Sequence, residues 1–213
     1  KEAEERIYEG ETPGVSYGDI AERYYTVGQY MKEVKDVSKA MAAAGDSYIC
    51  DEYLNAMGSP EAESVYVLHD LNNDGIEEFF IGLKFNYDIP YYVIYDVYTW
   101  KDGRAYQLMR GIGYRNGSCK ICENGVIEDN YSGSAWDGQT LYHILPEGGI
   151  ELETIDSVSS RRDGTVQSYY HWNELIDENS LQTILEQYQP ESVTYVDCNR
   201  ETIEQLRLSG IRK

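Results

Sequence analysis

A chain of 213 residues with 38 acidic against 18 basic side chains carries a formal charge of −20. That length suits one domain or two small ones, and it buries roughly 70% of the unfolded surface, so neither disulfides nor a metal is needed to gain a core. The charge repels phosphate backbones and anionic headgroups, which speaks against nucleic acid and against direct membrane binding and leaves cations and neutral polymers as partners. No apolar run approaches the roughly 20 residues of a membrane helix. The chain opens Lys1-Glu2-Ala3-Glu4 without a methionine, which predicts that a leader has been removed. Tyrosine is in excess, 21 against three Phe and three Trp, so most ring surface carries a hydroxyl and suits wet sheet faces.

Residues 1–15, with Thr12-Pro13-Gly14, read as a flexible leader or linker. Residues 16–213 read as a single α+β domain: helical over 16–58, a β meander over 64–172 and a helical cap over 173–213. From Tyr17 an apolar stripe recurs at Ile20, Tyr24, Val27, Met31, Val34 and Met41, interrupted by Ser38. Ser16 or Asp19 is its cap and Gly45 its stop. A second helix is predicted from near Asp46 to Met57, closed by Gly58 and Pro60.

After Ser64 the period switches to two. About nine strands are predicted: Val65 to His69, Glu78 to Phe85, Tyr91 to Trp100, Arg104 to Met109, Cys119 to Cys122, Val126 to Asn130, Thr140 to Leu145, Ile150 to Ser159 and Thr165 to Trp172. The gaps are too short for crossover helices, so the strands are antiparallel neighbours, in one curled sheet or in two layers. Cys119 and Cys122 form a CxxC, but Asn124-Gly125 turns directly after it. The pair therefore lies on a strand with its side chains on opposite faces, which favours packing over redox chemistry. The C-terminal part returns to helix at Ser180 to Tyr188, then a short strand Val193 to Val196, then a helix Arg200 to Leu208 capped by Asn199.

One segment has metal-ligand spacing. Asp70-Leu71-Asn72-Asn73-Asp74-Gly75-Ile76-Glu77-Glu78 places side-chain oxygens at alternate positions around a sharp turn at Gly75. Asp70, Asn72 and Asp74, the Ile76 carbonyl and Glu78 would surround a hard cation such as calcium. The twelfth loop position is Ile81 and the flanks read as strands, so it is not an EF-hand. The alternative is an Asx-rich turn whose side chains satisfy their own amides. The segment resembles the strand–loop–strand calcium hairpin of FG-GAP and VCBS type repeats. More broadly, this loop with a Tyr-rich meander, the Tyr95–Arg104 hairpin YDVYTWKDGR and the ending NELIDENSLQTILEQY resembles secreted or lipid-anchored surface proteins of unknown function from gut Clostridia. That resemblance implies an extracellular or cell-surface anchored place and no reaction.

No catalytic residue is assigned. His69, His143 and His171 lie in predicted strands, and HExxH, GxSxG and phosphate-binding glycine loops are absent from the sequence. Tyr131-Ser132-Gly133-Ser134-Ala135-Trp136-Asp137 is a small polar stretch around one Trp. Tyr131, Trp136 and Asp137 are candidates for stacking on a sugar ring and accepting its hydroxyls, against a structural plug at the sheet end. Trp100 and Trp172, at strand ends, read as structural. Two functions follow: a non-catalytic, calcium-clamped surface domain that binds a glycan or another surface protein, or a secreted, glycosidase-like hydrolase using two carboxylates not placed by the sequence. An open Tyr/Trp face would favour the first, and a cleft with two facing acids the second.

Overall fold

A computed structural model describes residues 16–34, 36–44, 49–113, 119–132, 136–145, 149–159 and 167–209. The fold is α+β, with helices at both ends and two antiparallel sheets between them, eleven strands among the described residues. The chain divides into two compact units.

The first unit comprises the described parts of Tyr8–Asp70, Asp74–Ile112 and Val193–Lys213. Helix α1 (Tyr17–Val34) buries the predicted stripe at Tyr17, Ile20, Tyr24, Val27 and Met31. Its start is a reciprocal cap: Ser16 Oγ accepts the Asp19 amide at 3.2 Å while Asp19 Oδ2 accepts the Ser16 amide at 3.0 Å. The helix ends earlier than the stripe suggests. Asp36 accepts the Lys39 amide at 3.1 Å and starts a separate α2 (Val37–Ala44), because an Asp at a cap position competes with helix continuation. Helix α3 (Asp51–Met57) is shorter than predicted, with Cys50 as its N-cap.

Strands β1 (Ala62–His69), β2 (Glu78–Phe85), β3 (Tyr91–Lys101) and β4 (Arg104–Arg110) follow as a meander, and the C-terminal β11 (Val196–Asp197) adds to the free side of β1 through Val65 and Tyr66. That pairing shifts the predicted strand towards Asp197. Asn199 then caps α5 (Arg200–Ser209), accepting the amides of Glu201 at 3.0 Å and Thr202 at 3.1 Å. Tyr24, Tyr53, Phe79, Ile81, Leu83 and Leu206 form the core between helices and sheet. At the β-bulge beside Gly82 a side chain has no room: a Cβ there would lie 2.1 Å from the Val93 carbonyl oxygen.

The second unit comprises Leu71–Asn73 and the described parts of Gly113–Ser192. Strands β5 (Cys119–Cys122), β6 (Val126–Ser132), β7 (Trp136–Ile144), β8 (Ile150–Ser159), β9 (Gln167–His171) and β10 (Glu174–Ile176) lie in sheet order β10-β9-β8-β7-β6-β5. Helix α4 (Glu178–Leu185), capped by Asp177, contributes Leu181 to a core with Cys122, Val126, Leu141 and Ile155. The meander is thus divided between two sheets, one of the two arrangements that the strand signals left open. Strand β10 was not predicted because three residues carry too little periodicity to register. All four cysteines are buried and free. Burial pushes the Cys122 thiol up to about 11 and Cys119 well above the ordinary value, so neither is a poised thiolate.

Candidate functional site

The segment with metal-ligand spacing is a turn held by its own carboxylates. Asp70 Oδ1 accepts the Asp74 amide at 3.1 Å and its Oδ2 the Gly75 amide at 3.0 Å, while Asp74 Oδ1 accepts the Ile76 amide at 2.8 Å. Asn73 and Gly75 take left-handed backbone, φ 57° and 87°, which turns the chain. The Asn72 amide nitrogen donates to the Leu145 carbonyl at 3.1 Å. Glu78 is wholly buried and accepts the Thr99 hydroxyl at 3.0 Å. Each carboxylate oxygen has two lone pairs, so accepting one amide leaves Asp70 and Asp74 chemically able to ligate. Among the described residues no group of three or more His, Cys, Asp or Glu side chains is arranged to hold a metal ion. A hard-cation loop also draws on amide and main-chain oxygens, so the donor set of Asp70, Asn72, Asp74 and the Ile76 carbonyl suits calcium chemically, with Glu78 the donor turned into the sheet.

Sequence reasoning missed one polar cluster. In the second unit Glu153 Oε2 pairs with His143 Nε2 at 2.9 Å and accepts the Tyr188 hydroxyl at 2.7 Å, and Glu153 Oε1 pairs with His171 Nε2 at 2.6 Å. Burial raises the carboxyl, but the hydrogen bonds from Tyr188, His143 and His171 outweigh it and hold Glu153 below its ordinary range. An ionised carboxylate only accepts, so both imidazoles present an Nε2 proton to Glu153. The cluster ties Tyr188, just beyond α4, to β8. No local motif announces it, because β7, β8 and β9 must be in register before the four side chains meet.

Two carboxylates of this unit share one row of the sheet. Glu128 lies opposite Leu141, and Leu141 opposite Glu153. Glu128 Oε1 accepts Lys120 Nζ at 3.1 Å and the side-chain amides of Asn130 at 2.5 Å and Gln139 at 3.3 Å. Wholly buried Leu141 separates the acids by two strand spacings, about 10 Å, and belongs to the core beneath α4. The pair therefore flanks a core residue instead of facing across a cleft.

The backbone of the other sequence candidates is placed in strands. Tyr131 pairs with Gly138, Asp137 with Ser132 and Ser157, and Trp136 with Val158. The side chains of Tyr131, Trp136 and Asp137, and Gly133 to Ala135 between them, lie outside the described residues. Trp100 packs edge-on against Tyr17 with centroids 5.8 Å apart, a structural role as read from its sequence position.

An open aromatic face lies in the first unit, at the β2–β3 turn. Phe85, Tyr87 and Tyr91 hold their rings within 14° of parallel, with centroids 4.7 to 6.3 Å apart. Phe85 is buried, whereas Tyr87 and Tyr91 are half exposed and Ile89 is 82% exposed. A turn sequence of Asn86-Tyr87-Asp88-Ile89-Pro90 is unusually apolar for a loop, and that was the available signal.

Compared with known proteins, the chain matches no family model, no curated protein and no solved structure.

Proposed function

We propose that the chain is an extracellular or cell-surface anchored, non-catalytic domain that binds a neutral glycan through the Phe85–Tyr87–Tyr91 face, with calcium at the Asp70–Glu78 loop stabilising the β1–β2 hairpin, whose second strand leads to that face. The carrying observation is the set of three near-parallel rings displayed at a turn, two of them half exposed. Ring faces stack on the C–H face of a sugar, tyrosine hydroxyls and Asp88 meet its hydroxyls, and a charge of −20 turns anionic polymers away. Strand β2 links the two features, leaving the loop at Glu78 and reaching the rings at Phe85. The hydrolase reading has less support, since its best-placed acids, Glu128 and Glu153, are separated by Leu141 and engaged by protein donors.

In affinity electrophoresis through gels containing neutral polysaccharides, the parent is expected to be retarded and Tyr87→Ala/Tyr91→Ala to run freely at unchanged stability. Equal retardation of both, or reducing ends released by the parent, overturns the reading.

The calcium part has its own expected result. Calcium at about 100 times its dissociation constant raises stability by about 2.7 kcal/mol. Asp74→Ala should abolish that increment in thermal unfolding, and identical parent curves in calcium and in EDTA would remove the ion from the account.

A further inference from the structure

Trp172 departs from its expected structural role. It and Asn173 form the two-residue turn between β9 and β10, where His171 pairs with Glu174. Both take left-handed backbone, φ 53° and 63°, the pattern of a type I′ turn that favours Asn and Gly. For a bulky side chain this conformation is a true outlier, and Trp172 is held in it by the pairing and by the hydrogen bond that its backbone N–H donates to the Thr154 carbonyl at 3.1 Å. Burial does not repay the strain: Trp172 is 47% exposed. Strain retained without a packing return points to a use for the ring at the surface.

The surroundings specify what the ring would meet. His171 lies 6.0 Å from Trp172 between ring centroids, tilted by 42°. Its Nε2–H is committed to Glu153, which fixes the ring and leaves Nδ1 as the nitrogen that can meet a ligand hydroxyl. Leu175 is the other large hydrophobic exposed nearby. Two apolar side chains are far fewer than a protein interface of about 800 Å² per partner requires, whereas one aromatic face beside one fixed polar nitrogen matches a single sugar ring. Exposed Glu151 and Glu174 on the neighbouring strands disfavour an anionic ligand.

We infer that Trp172 and His171 form a second binding subsite for a neutral pyranose, the sugar's C–H face on the indole and one of its hydroxyls hydrogen-bonded to His171 Nδ1. This subsite belongs to the second unit and stands independently of the Tyr87–Tyr91 face. The test titrates the full chain, labelled at its indole nitrogens, with neutral hexasaccharides of glucose, mannose and galactose, and in parallel with a tetramethylammonium salt as a cationic probe. The indole signal that disappears in Trp172→Asn is expected to shift with at least one hexasaccharide, and to shift equally in Tyr87→Ala/Tyr91→Ala, so the two sites fail or succeed separately. Trp172→Asn should weaken that binding more than tenfold while unfolding at the same or a higher temperature, because Asn suits the turn. Trp172→Phe, which keeps a ring, should retain part of the affinity. A Trp172 signal unmoved by every sugar, one moved by the cation alone, or a Trp172→Asn variant that melts earlier with sugar binding intact overturns the inference.

Discussion

Phe79→Ala should cost about 3–5 kcal/mol of stability, the range for emptying a large aromatic from a packed core. Phe79 is wholly buried on β2 and touches three rings from different elements: Tyr17 of α1 stacked at 5.1 Å, Tyr66 of β1 at 5.6 Å and Tyr98 of β3 at 6.2 Å. Tyr17 cannot follow into the cavity without releasing its hydrogen bond to the Glu77 carbonyl at 2.9 Å. The cavity therefore stays open, which puts the cost towards the upper end. Urea unfolding followed by circular dichroism measures it, and a loss under 1 kcal/mol would show that the site collapses freely. Tyr17→Phe, which removes only the hydroxyl, should cost about 1 kcal/mol.

The second large effect is a pH dependence centred on Asp96. This carboxylate is wholly buried in the first unit, accepting the Tyr24 hydroxyl and, at 2.9 Å, the Gly111 amide. Tyr24 also meets the Tyr98 hydroxyl at 3.1 Å, which accepts Gln107 Nε2 at 3.1 Å. Burial pushes Asp96 up from 3.8 to about 6, against the pull of these hydrogen bonds. A raised carboxyl binds its proton more tightly folded than unfolded, so stability falls as pH rises from about 4 to 6 and is level above. A rise of about two units corresponds to about 3 kcal/mol. Asp96→Asn should remove that fall: its oxygen keeps the Gly111 amide, and its nitrogen donates to Tyr24, whose proton turns to Tyr98. Unfolding free energies of parent and variant, compared from pH 4 to 8, should diverge through pH 6. Parallel curves would place the ionised form at no disadvantage in the fold. Asp129, also raised to about 6 by burial, adds a slope of the same sign in the second unit, so only the difference between parent and variant reports Asp96. Glu153 acts oppositely. Its lowered pKa contributes stability above its ordinary range that is lost as pH falls through the lowered value.

Much of the fold was legible along the chain because its signals are local. The α1 stripe, the Asn199 cap, the hairpin turns at Asp102-Gly103 and Asn124-Gly125 and most strand spans depend on neighbours within a few residues. The misses share a cause. Asp36 outweighed a continuing apolar stripe, β11 moved to meet β1, and β10 exists only because β9 offers it an edge.

For function the division is sharper. Charge, tyrosine excess and the Asp70–Glu78 spacing are properties of composition and order, and from them come the expectation of neutral or cationic partners and the proposal of one calcium loop. Which side chains meet was decided by strand register. Glu153 reaches His143 and His171 only when three strands align, Leu141 comes between Glu128 and Glu153 for the same reason, and the exposure of Tyr87, Tyr91 and Trp172 depends on what the rest of the chain leaves uncovered. Contacts between residues distant in sequence are set by the pairing of whole strands, and no window of neighbouring residues encodes that pairing.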